Sequence, residues 1–284
     1  MKWNLLLLLL VPCVVFSQRK MNLILAGGFS NYSGDLQEKK FTFDQSHFAF
    51  GAGLSYQIMP KLQIQGTLRK GKVSAADRFS SRPMNRDRNL SFHSNIWEAA
   101  LVADYSFFDL NSYSITPFVF AGGAFFRFNP KAVDRDGRVV ALRNLSTEGQ
   151  GFVRGRKMYR ILTLSVPFGA GIRMRVTDNV HLGYEIGIRK TFTDYLDDVS
   201  TTYVDREQLL ANKGERAVSM AFRGNEIKPG EPYPIANTVR GGSRYKDWYY
   251  FSGLTLSIGI TNTDGKILGA RVRRGSMDCP ATVL

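Results

Sequence analysis

Apolar and polar residues alternate with a period of two in eight short segments of this chain. In the clearest segment, residues 162–176, every even position from Leu162 to Val176 is apolar, and the odd positions hold Thr, Ser, Pro, Gly or Arg. A period of two places successive side chains on opposite faces of a β-strand, whereas a helix would mix them on every face. The pattern therefore predicts eight β-strands, each with an apolar face and a face rich in glycine and polar residues.

The other seven segments show the same alternation at about residues 21–31, 48–58, 62–69, 97–107, 114–128, 180–189 and 248–260. In the segment at 114–128 both faces carry aromatic residues, so its outward face stays open. Trp97 and Phe107 lie ten residues apart on the apolar face of one strand. At ~3.3 Å per residue and a tilt of ~40°, this separation spans about 25 Å, the height of the apolar band of an outer-membrane barrel.

The connections between the segments are short and long in strict alternation. Short turns fall at about 59–60, 109–113 and 177–179, and long connections at about 32–45, 71–92, 129–161 and 193–246. This asymmetry is typical of an eight-stranded antiparallel transmembrane β-barrel with short periplasmic turns and long external loops. A soluble β-sandwich or lipocalin-like barrel also alternates, but its water-facing surface would then have to be the glycine- and arginine-rich face.

The N-terminus has the three regions of a secretory signal peptide. Lys2 precedes an apolar run at 5–16, and a small residue, Ser17, stands before Gln18. We expect cleavage after Ser17 and export to the outer membrane of a Gram-negative bacterium. The predicted organisation is a signal peptide at 1–17, a barrel at 18–261 and a periplasmic tail at 262–284. Cys279 would be the single cysteine of the mature chain, so no intramolecular disulfide is expected.

Charged residues fall on the inward face of the predicted barrel. An eight-stranded barrel is just wide enough to be filled by its own side chains, so a pore is not expected. Buried charges are costly unless they are paired. We therefore predict a lumen ion-pair network made of Arg69, Glu98, Asp104, Arg173, Arg175, Glu185 and Arg189.

The formal net charge of +14 is concentrated in two of the predicted external loops, at 70–88 and 131–160. An exported barrel does not meet nucleic acid, so that partner is excluded. Cations in external loops would lie beside the phosphate groups of outer-membrane lipid and lipopolysaccharide. Ordinary solvated loop charge is an equal alternative.

The chain has none of the sequence motifs of hydrolases, nucleotide-binding proteins or zinc proteases. His47 and His93 fall near predicted external strand ends, where a lipid-modifying barrel enzyme would place catalytic groups, but no serine or acid is recognisably spaced with them. The acidic stretch Asp194, Asp197, Asp198 and Asp205 lacks the spacing of a calcium loop, and Asp205 instead predicts the cap of a short helix ended by Lys213 and Gly214. We therefore predict no enzyme activity and no catalytic, cofactor or metal site, and expect no small-molecule substrate.

Several motifs resemble those of the PorG-like outer-membrane β-barrel family. They are NYSGDL at 31–36, NLSF at 89–92, NIWE at 95–98, FFRFNP at 125–130, LSTEGQG at 145–151 and TFTDYLDDVSTTYVD at 191–205. The resemblance implies a non-enzymatic role in type IX protein secretion, in which such a barrel ties a periplasmic ring of partner proteins to the outer membrane.

An even number of strands would return the chain to the periplasm after Ile260. A periplasmic partner could then meet the basic tail residues Lys266, Arg271, Arg273 and Arg274. Two other functions remain open: an adhesin-like or lipid-binding barrel that uses its basic external loops, and a lipid-modifying outer-membrane enzyme.

Overall fold

The computed structural model describes residues 21–37, 42, 45–244 and 246–261. Eight long strands form one closed antiparallel barrel, and two short strands form a hairpin within one connection. In chain order they are β1 (Met21–Ser33), β2 (His47–Met59), β3 (Leu62–Ala76), β4 (Ser91–Ser106), β5 (Ile115–Arg127), β6 (Lys131–Val133), β7 (Val139–Ala141), β8 (Leu162–Thr177), β9 (Val180–Thr191) and β10 (Trp248–Gly259).

The barrel closes where its first and last strands pair. β1 and β10 are in antiparallel register from Asn22 opposite Gly259 to Ser33 opposite Trp248. Every other long strand pairs with the long strand before and after it in the chain. The prediction of an eight-stranded antiparallel barrel is confirmed, while the signal peptide and the tail lie outside the described residues.

Side chains alternate between the lumen and the outer surface as the sequence indicates. Leu68, Leu101 and Leu254 are among the large apolar side chains exposed on the outside, each with more than 60% of its surface free. A soluble protein rarely exposes so continuous an apolar belt, whereas lipid requires it. No helix within the described ranges is long and apolar enough to cross a membrane.

The fifth strand, whose facing the sequence left open, directs its odd-numbered residues outward. Val119 and Phe125 are exposed, while Phe118, Phe120 and Phe126 are buried in the lumen. The buried rings explain the glycine-rich face of the opposite strands. A Cβ added at Gly169 would overlap the Ile186 carbonyl oxygen and lie 2.7 Å from Phe120 Cζ, so the neighbouring strand and the aromatic ring together leave no space for a side chain.

In the described residues, three of the four long connections contain short α-helices. These are α1 (Pro83–Arg88), α2 (Leu142–Leu145), α3 (Arg206–Lys213) and α4 (Glu215–Ala221). As predicted, Asp205 caps α3 by accepting a hydrogen bond from Gln208 N at 3.0 Å, and Gly214 ends the helix. We call these four connections, residues 34–46, 77–90, 128–161 and 192–247, the cap.

The strands next to the cap are longer than the alternation predicted. β3 continues to Ala76 rather than to residue 69, and β4 begins at Ser91 rather than at residue 97. Here Ala75, Phe92 and Ile96 are buried beneath the cap. These buried side chains face the lumen, whereas outward positions of the same stretch are polar, such as Lys72 and Asn95. The apolar face therefore changes from the outer to the inner side of each strand, and the outward apolar pattern ends here.

The orientation of the barrel can be tested by thiol labelling. If the cap is external, a cysteine introduced at exposed Ser81 or Asn144 should react with a membrane-impermeant maleimide on intact cells. A cysteine at Asp178, in the β8–β9 turn, should react only after the outer membrane is permeabilised. Cys279 is first replaced by serine so that each variant carries one reactive thiol. Labelling of Asp178→Cys but not Ser81→Cys on intact cells would reverse the orientation.

Candidate functional site

The centre of the lumen holds a buried ion pair between β4 and β9. Arg189 Nε donates to Glu98 Oε2 at 3.0 Å, and Arg189 Nη2 donates to Glu98 Oε1 at 3.2 Å. Tyr249 of β10 donates its hydroxyl to Glu98 Oε2 at 2.8 Å. Two parallel hydrogen bonds of this kind fix both position and orientation, so three strands are tied across the lumen.

Two further pairs bridge the lumen. Arg69 Nη2 lies 2.5 Å from Glu185 Oε1. Nearer the short turns, Arg173 Nη2 lies 2.7 Å from Asp104 Oδ2, which also accepts from Gln65 Nε2 at 2.7 Å. The structure thus brings six of the seven predicted lumen residues together in pairs.

Arg175 lies apart from these pairs, at the short-turn end of the barrel. Its Nη1 is 3.6 Å from Asp178 Oδ1 and donates to the Asn111 carbonyl at 3.4 Å. The residue is on the lumen face, as the alternation implies, but it is one of the last residues of β8 and so reaches the turns rather than the pairs within the barrel.

An apolar cluster separates the ion pairs along the lumen. Phe118 and Phe120 of β5 are buried with three small or branched residues, Ala100, Val102 and Ala124. Arg173 also places its guanidinium carbon 4.3 Å from the centroid of the Phe118 ring. Charged pairs and aromatic rings fill the interior at successive levels, which leaves the barrel suited to a structural role rather than to conduction.

The cap has its own buried polar core, centred on Glu148 and Arg240. Arg240 Nη1 donates to Glu148 Oε1 at 3.0 Å, and both side chains are within 1% of complete burial. Glu148 also accepts from the backbone N–H groups of Ser200 and Thr201. Arg240 donates to the carbonyl oxygens of Asp198 and Ala221. This one pair therefore joins the third long connection to both ends of the fourth.

Two more carboxylates are buried around this pair. Asp198 accepts from Thr147 Oγ1 at 2.5 Å and from the Tyr159 hydroxyl at 2.6 Å. Burial raises the pKa of Asp198 to about 6, although Arg240 opposes the shift. Asp77 forms a two-point pair with Arg88, at 2.6 and 2.7 Å. Arg88 in turn donates to the Arg240 carbonyl, which links the second long connection to the same core.

The hydroxyl of Tyr32 lies between two carboxyl groups. It is 2.7 Å from Asp197 Oδ2 and 2.9 Å from Asp247 Oδ1. A phenol has one proton to donate, so only one of the two carboxylates can accept it. Burial raises the pKa of both Asp197 and Asp247. The charge of Asp35 raises the pKa of Asp197 further, and the charges of Asp197 and Asp194 raise that of Asp247.

Apolar side chains surround the polar core and join it to the mouth of the barrel. Leu196, Val199 and Met220 of the cap belong to one buried cluster with Phe126 and Phe251 of the barrel. Because cap and barrel side chains share this cluster, the cap is packed directly onto the mouth of the barrel.

The motifs behind the family resemblance meet in this core. The first supplies Tyr32, the LSTEGQG segment supplies Thr147 and Glu148, and the long acidic segment supplies Asp197 and Asp198. Spacing rules miss this role, because they compare these acids only with a calcium loop and a helix cap. The signal was present, since apolar residues that become buried, such as Leu196 and Val199, are interspersed among them. No group of three or more possible ligands in the described residues could hold a metal ion.

One histidine has a serine partner that the sequence did not reveal. His47 Nε2 lies 2.7 Å from Ser74 Oγ, and Ser74 is opposite His93 in the β3–β4 register. Twenty-seven residues separate His47 and Ser74 in the chain, so no spacing rule connects them. Among the described residues no carboxylate hydrogen-bonds either imidazole, so these residues form no hydrolase triad.

The proposed tail residues Lys266, Arg271, Arg273 and Arg274, together with Cys279, lie outside the described residues. The last described residue, Thr261, lies at the short-turn end. Its Oγ1 accepts from Met21 N at 2.8 Å, and Ile260 N donates to the Met21 carbonyl at 2.9 Å. The tail thus begins at the end of the barrel opposite the cap.

The closed strand order, the apolar outer belt and the filled lumen define an eight-stranded transmembrane β-barrel of the outer-membrane type. The chain belongs to the family described as a domain of unknown function (DUF6089), whose model matches residues 2–211. No curated protein sequence matches it.

Solved structures of bacterial outer-membrane barrels share this fold at low sequence identity. Neisserial surface protein A is 10% identical, with a TM-score of 0.42, over 84% of this chain and 96% of that one. The attachment invasion locus protein Ail of Yersinia pestis, solved with the heparin analogue sucrose octasulfate, is 8% identical, with a TM-score of 0.40, over 85% and 99%. OprG of Pseudomonas aeruginosa is 11% identical, with a TM-score of 0.39, over 85% and 98%.

Proposed function

We propose that this protein is a non-enzymatic outer-membrane barrel that anchors or helps assemble the type IX protein secretion system through a periplasmic ring of partner proteins. The observation that carries the proposal is the filling of both the lumen and the cap. Three ion pairs cross the barrel, and buried side chains join the cap to its mouth. A barrel with a filled interior interacts with partners through its surface rather than by conducting molecules through its lumen.

The short-turn end is the surface that suits a periplasmic partner. Lys61, Arg175 and His181 line a polar depression there, together with Asn111 and Asp178. The basic tail begins beside this depression, at Thr261. The resemblance of the sequence motifs to the PorG-like family supports the same secretion role.

A second candidate function is an adhesin-like barrel that uses its basic external loops. Arg154, Lys157 and Arg160 favour it, because they are exposed and lack a hydrogen-bond or ion-pair partner in the described residues. Other cations of the same connection are already engaged: Arg143 donates to the Tyr159 carbonyl and Arg156 to the Glu148 carbonyl. The basic loop charge is therefore partly structural, which weakens this candidate relative to the first.

The secretion role predicts a specific loss in cells. Deletion of the gene should trap type IX cargo inside the cell, as measured by cargo in the culture supernatant. The triple change Arg271→Glu, Arg273→Glu and Arg274→Glu should reduce recovery of periplasmic partners with the tagged protein, and added salt should weaken the remaining binding. Barrel insertion, followed by heat-modified migration on a gel, should not change.

The matched control places the same charge change on the opposite end of the molecule. Arg154→Glu, Lys157→Glu and Arg160→Glu should leave cargo release and partner recovery intact. Loss of surface binding in this control, with normal cargo release in the deletion strain and no paralogue to substitute, would replace the secretion role by the adhesin-like one.

A further inference from the structure

A row of three outward-facing residues crosses the barrel just below the cap. Lys70 on β3 is directly opposite Trp97 on β4, and Trp97 is directly opposite Arg127 on β5. Lys70 Nζ lies 4.8 Å from the centroid of the Trp97 ring. Neighbouring strands are ~4.8 Å apart, so the backbones that carry Lys70 and Arg127 are about 10 Å apart. Their long side chains can therefore converge over the indole ring of Trp97.

The rows above this one, toward the cap, add two more cations. Lys72 is opposite Asn95, and His93 is opposite Lys131. No carboxylate pairs with Lys70, Lys72, Arg127 or Lys131 in the part of the chain that the structure describes. This absence contrasts with the lumen and the cap, where buried cations face an acid. We call Lys70, Lys72, Trp97, Arg127 and Lys131 the basic patch.

An apolar groove begins directly beneath the basic patch on the same strands. The next row down contains Leu68, Ala99 and Phe125, and the row after it contains Gly66, Leu101 and Gly123. These residues line part of a wide, open apolar depression on the outer surface, which we call the groove. A Cβ added at Gly66 or Gly123 would meet nothing within 4 Å, so the two glycines form an open floor between large apolar neighbours.

We propose that the basic patch and this groove together form a binding site for one phosphorylated lipid of the outer leaflet. Lys70 and Arg127 hold the phosphate groups of the head, and an acyl chain lies in the groove over Gly66 and Gly123. The two halves are in strand register, with the charged half toward the cap and the apolar half toward the membrane centre, which is the polarity of a lipid. A free anion would leave the groove empty, and a neutral lipid would leave the cations unpaired.

The opposite side of the barrel shows what an ordinary interfacial position looks like. There Lys190 on β9 is opposite Trp248 on β10, and the next strand places Ser33 beside that tryptophan. One cation beside one tryptophan is the usual composition of a membrane interface. The basic patch differs by placing cations on both sides of its tryptophan and above it. The proposal rests on the outer-membrane location but not on the secretion role.

The site can be tested by tryptophan fluorescence with purified protein. In the Trp248→Phe variant, Trp97 is the only tryptophan after the predicted signal peptide. In vesicles of dibrominated phosphatidylcholine, bromine should quench Trp97. Adding unbrominated bis-phosphorylated lipid A should relieve the quenching at far lower mole fraction than the same lipid without phosphates. The change Lys70→Gln with Arg127→Gln should reduce this preference by about tenfold per cation, as for hydrogen bonds to charged groups.

Three controls separate the site from general lipid contact. Lys190→Gln should keep the full preference, and Gly123→Phe, which fills the groove, should reduce the relief of quenching without altering heat-modified migration of the folded barrel. Inorganic phosphate should produce no relief. Equal relief by phosphorylated and dephosphorylated lipid A, an unchanged preference in the double glutamine variant, or equal relief by inorganic phosphate would overturn the proposal.

Discussion

Replacing Arg240 with methionine is expected to open the cap while the barrel stays folded. The change leaves Glu148 buried without its cation and removes the donors that reach the Asp198 and Ala221 carbonyls. Truncating one partner of a buried pair costs about 3–5 kcal/mol, which is a large part of the stability of a domain of this size. We expect trypsin to cut the cap, for example within α3, at concentrations that leave the native protein intact.

A matched surface pair supplies the control for this experiment. Arg138 lies 3.2 Å from Asp136, and both side chains are 65% exposed, so Arg138→Met should change protease resistance little. A second variant, Glu148→Leu combined with Arg240→Met, removes both charges and should recover part of the loss. Equal resistance of Arg240→Met and Arg138→Met would show that the cap is held by its apolar cluster instead.

The barrel strands could be predicted because two solvents impose their pattern. Lipid on one side and a polar lumen on the other force alternate residues to differ, which made residues 162–176 readable without a structure. The facing of β5 could not be predicted, because its lumen face carries aromatic rings. Phe118 and Phe120 fill the space next to glycines in the lumen, but the same rings would be equally suitable against lipid. The pattern also failed above residue 69, where the apolar side chains face the lumen and the outward positions are polar.

The sequence predicted which charged residues lie in the lumen, but not which of them form ion pairs with each other. Strand parity placed Arg69, Glu98 and Glu185 on the inward face. Which acid meets which arginine depends on the stagger between non-adjacent strands, and no residue pattern records that stagger. The cap was less accessible still, since Glu148 and Arg240 are 92 residues apart. Loops carry no periodicity, so interspersed apolar residues such as Leu196 and Val199 indicate a buried segment but do not show which groups pair within it.

The central lumen pair supplies the second large effect. Glu98→Ala should destabilise the barrel by about 3–5 kcal/mol, because Arg189 would remain buried without its partner and the Tyr249 hydroxyl would lose its acceptor. The measurement is the midpoint of urea unfolding in lipid vesicles, followed by tryptophan fluorescence.

The exposed pair at the short turns is the control: Arg175 lies 3.6 Å from Asp178, whose side chain is 89% exposed, so Asp178→Ala should cost under about 1 kcal/mol. Added salt should have little effect on the unfolding midpoint of either the native protein or Glu98→Ala, because the lumen pair is shielded from solvent ions. If Glu98→Ala and Asp178→Ala unfolded at the same urea concentration, the lumen charges would have to be hydrated, and the barrel would then contain the continuous water path that a filled interior excludes.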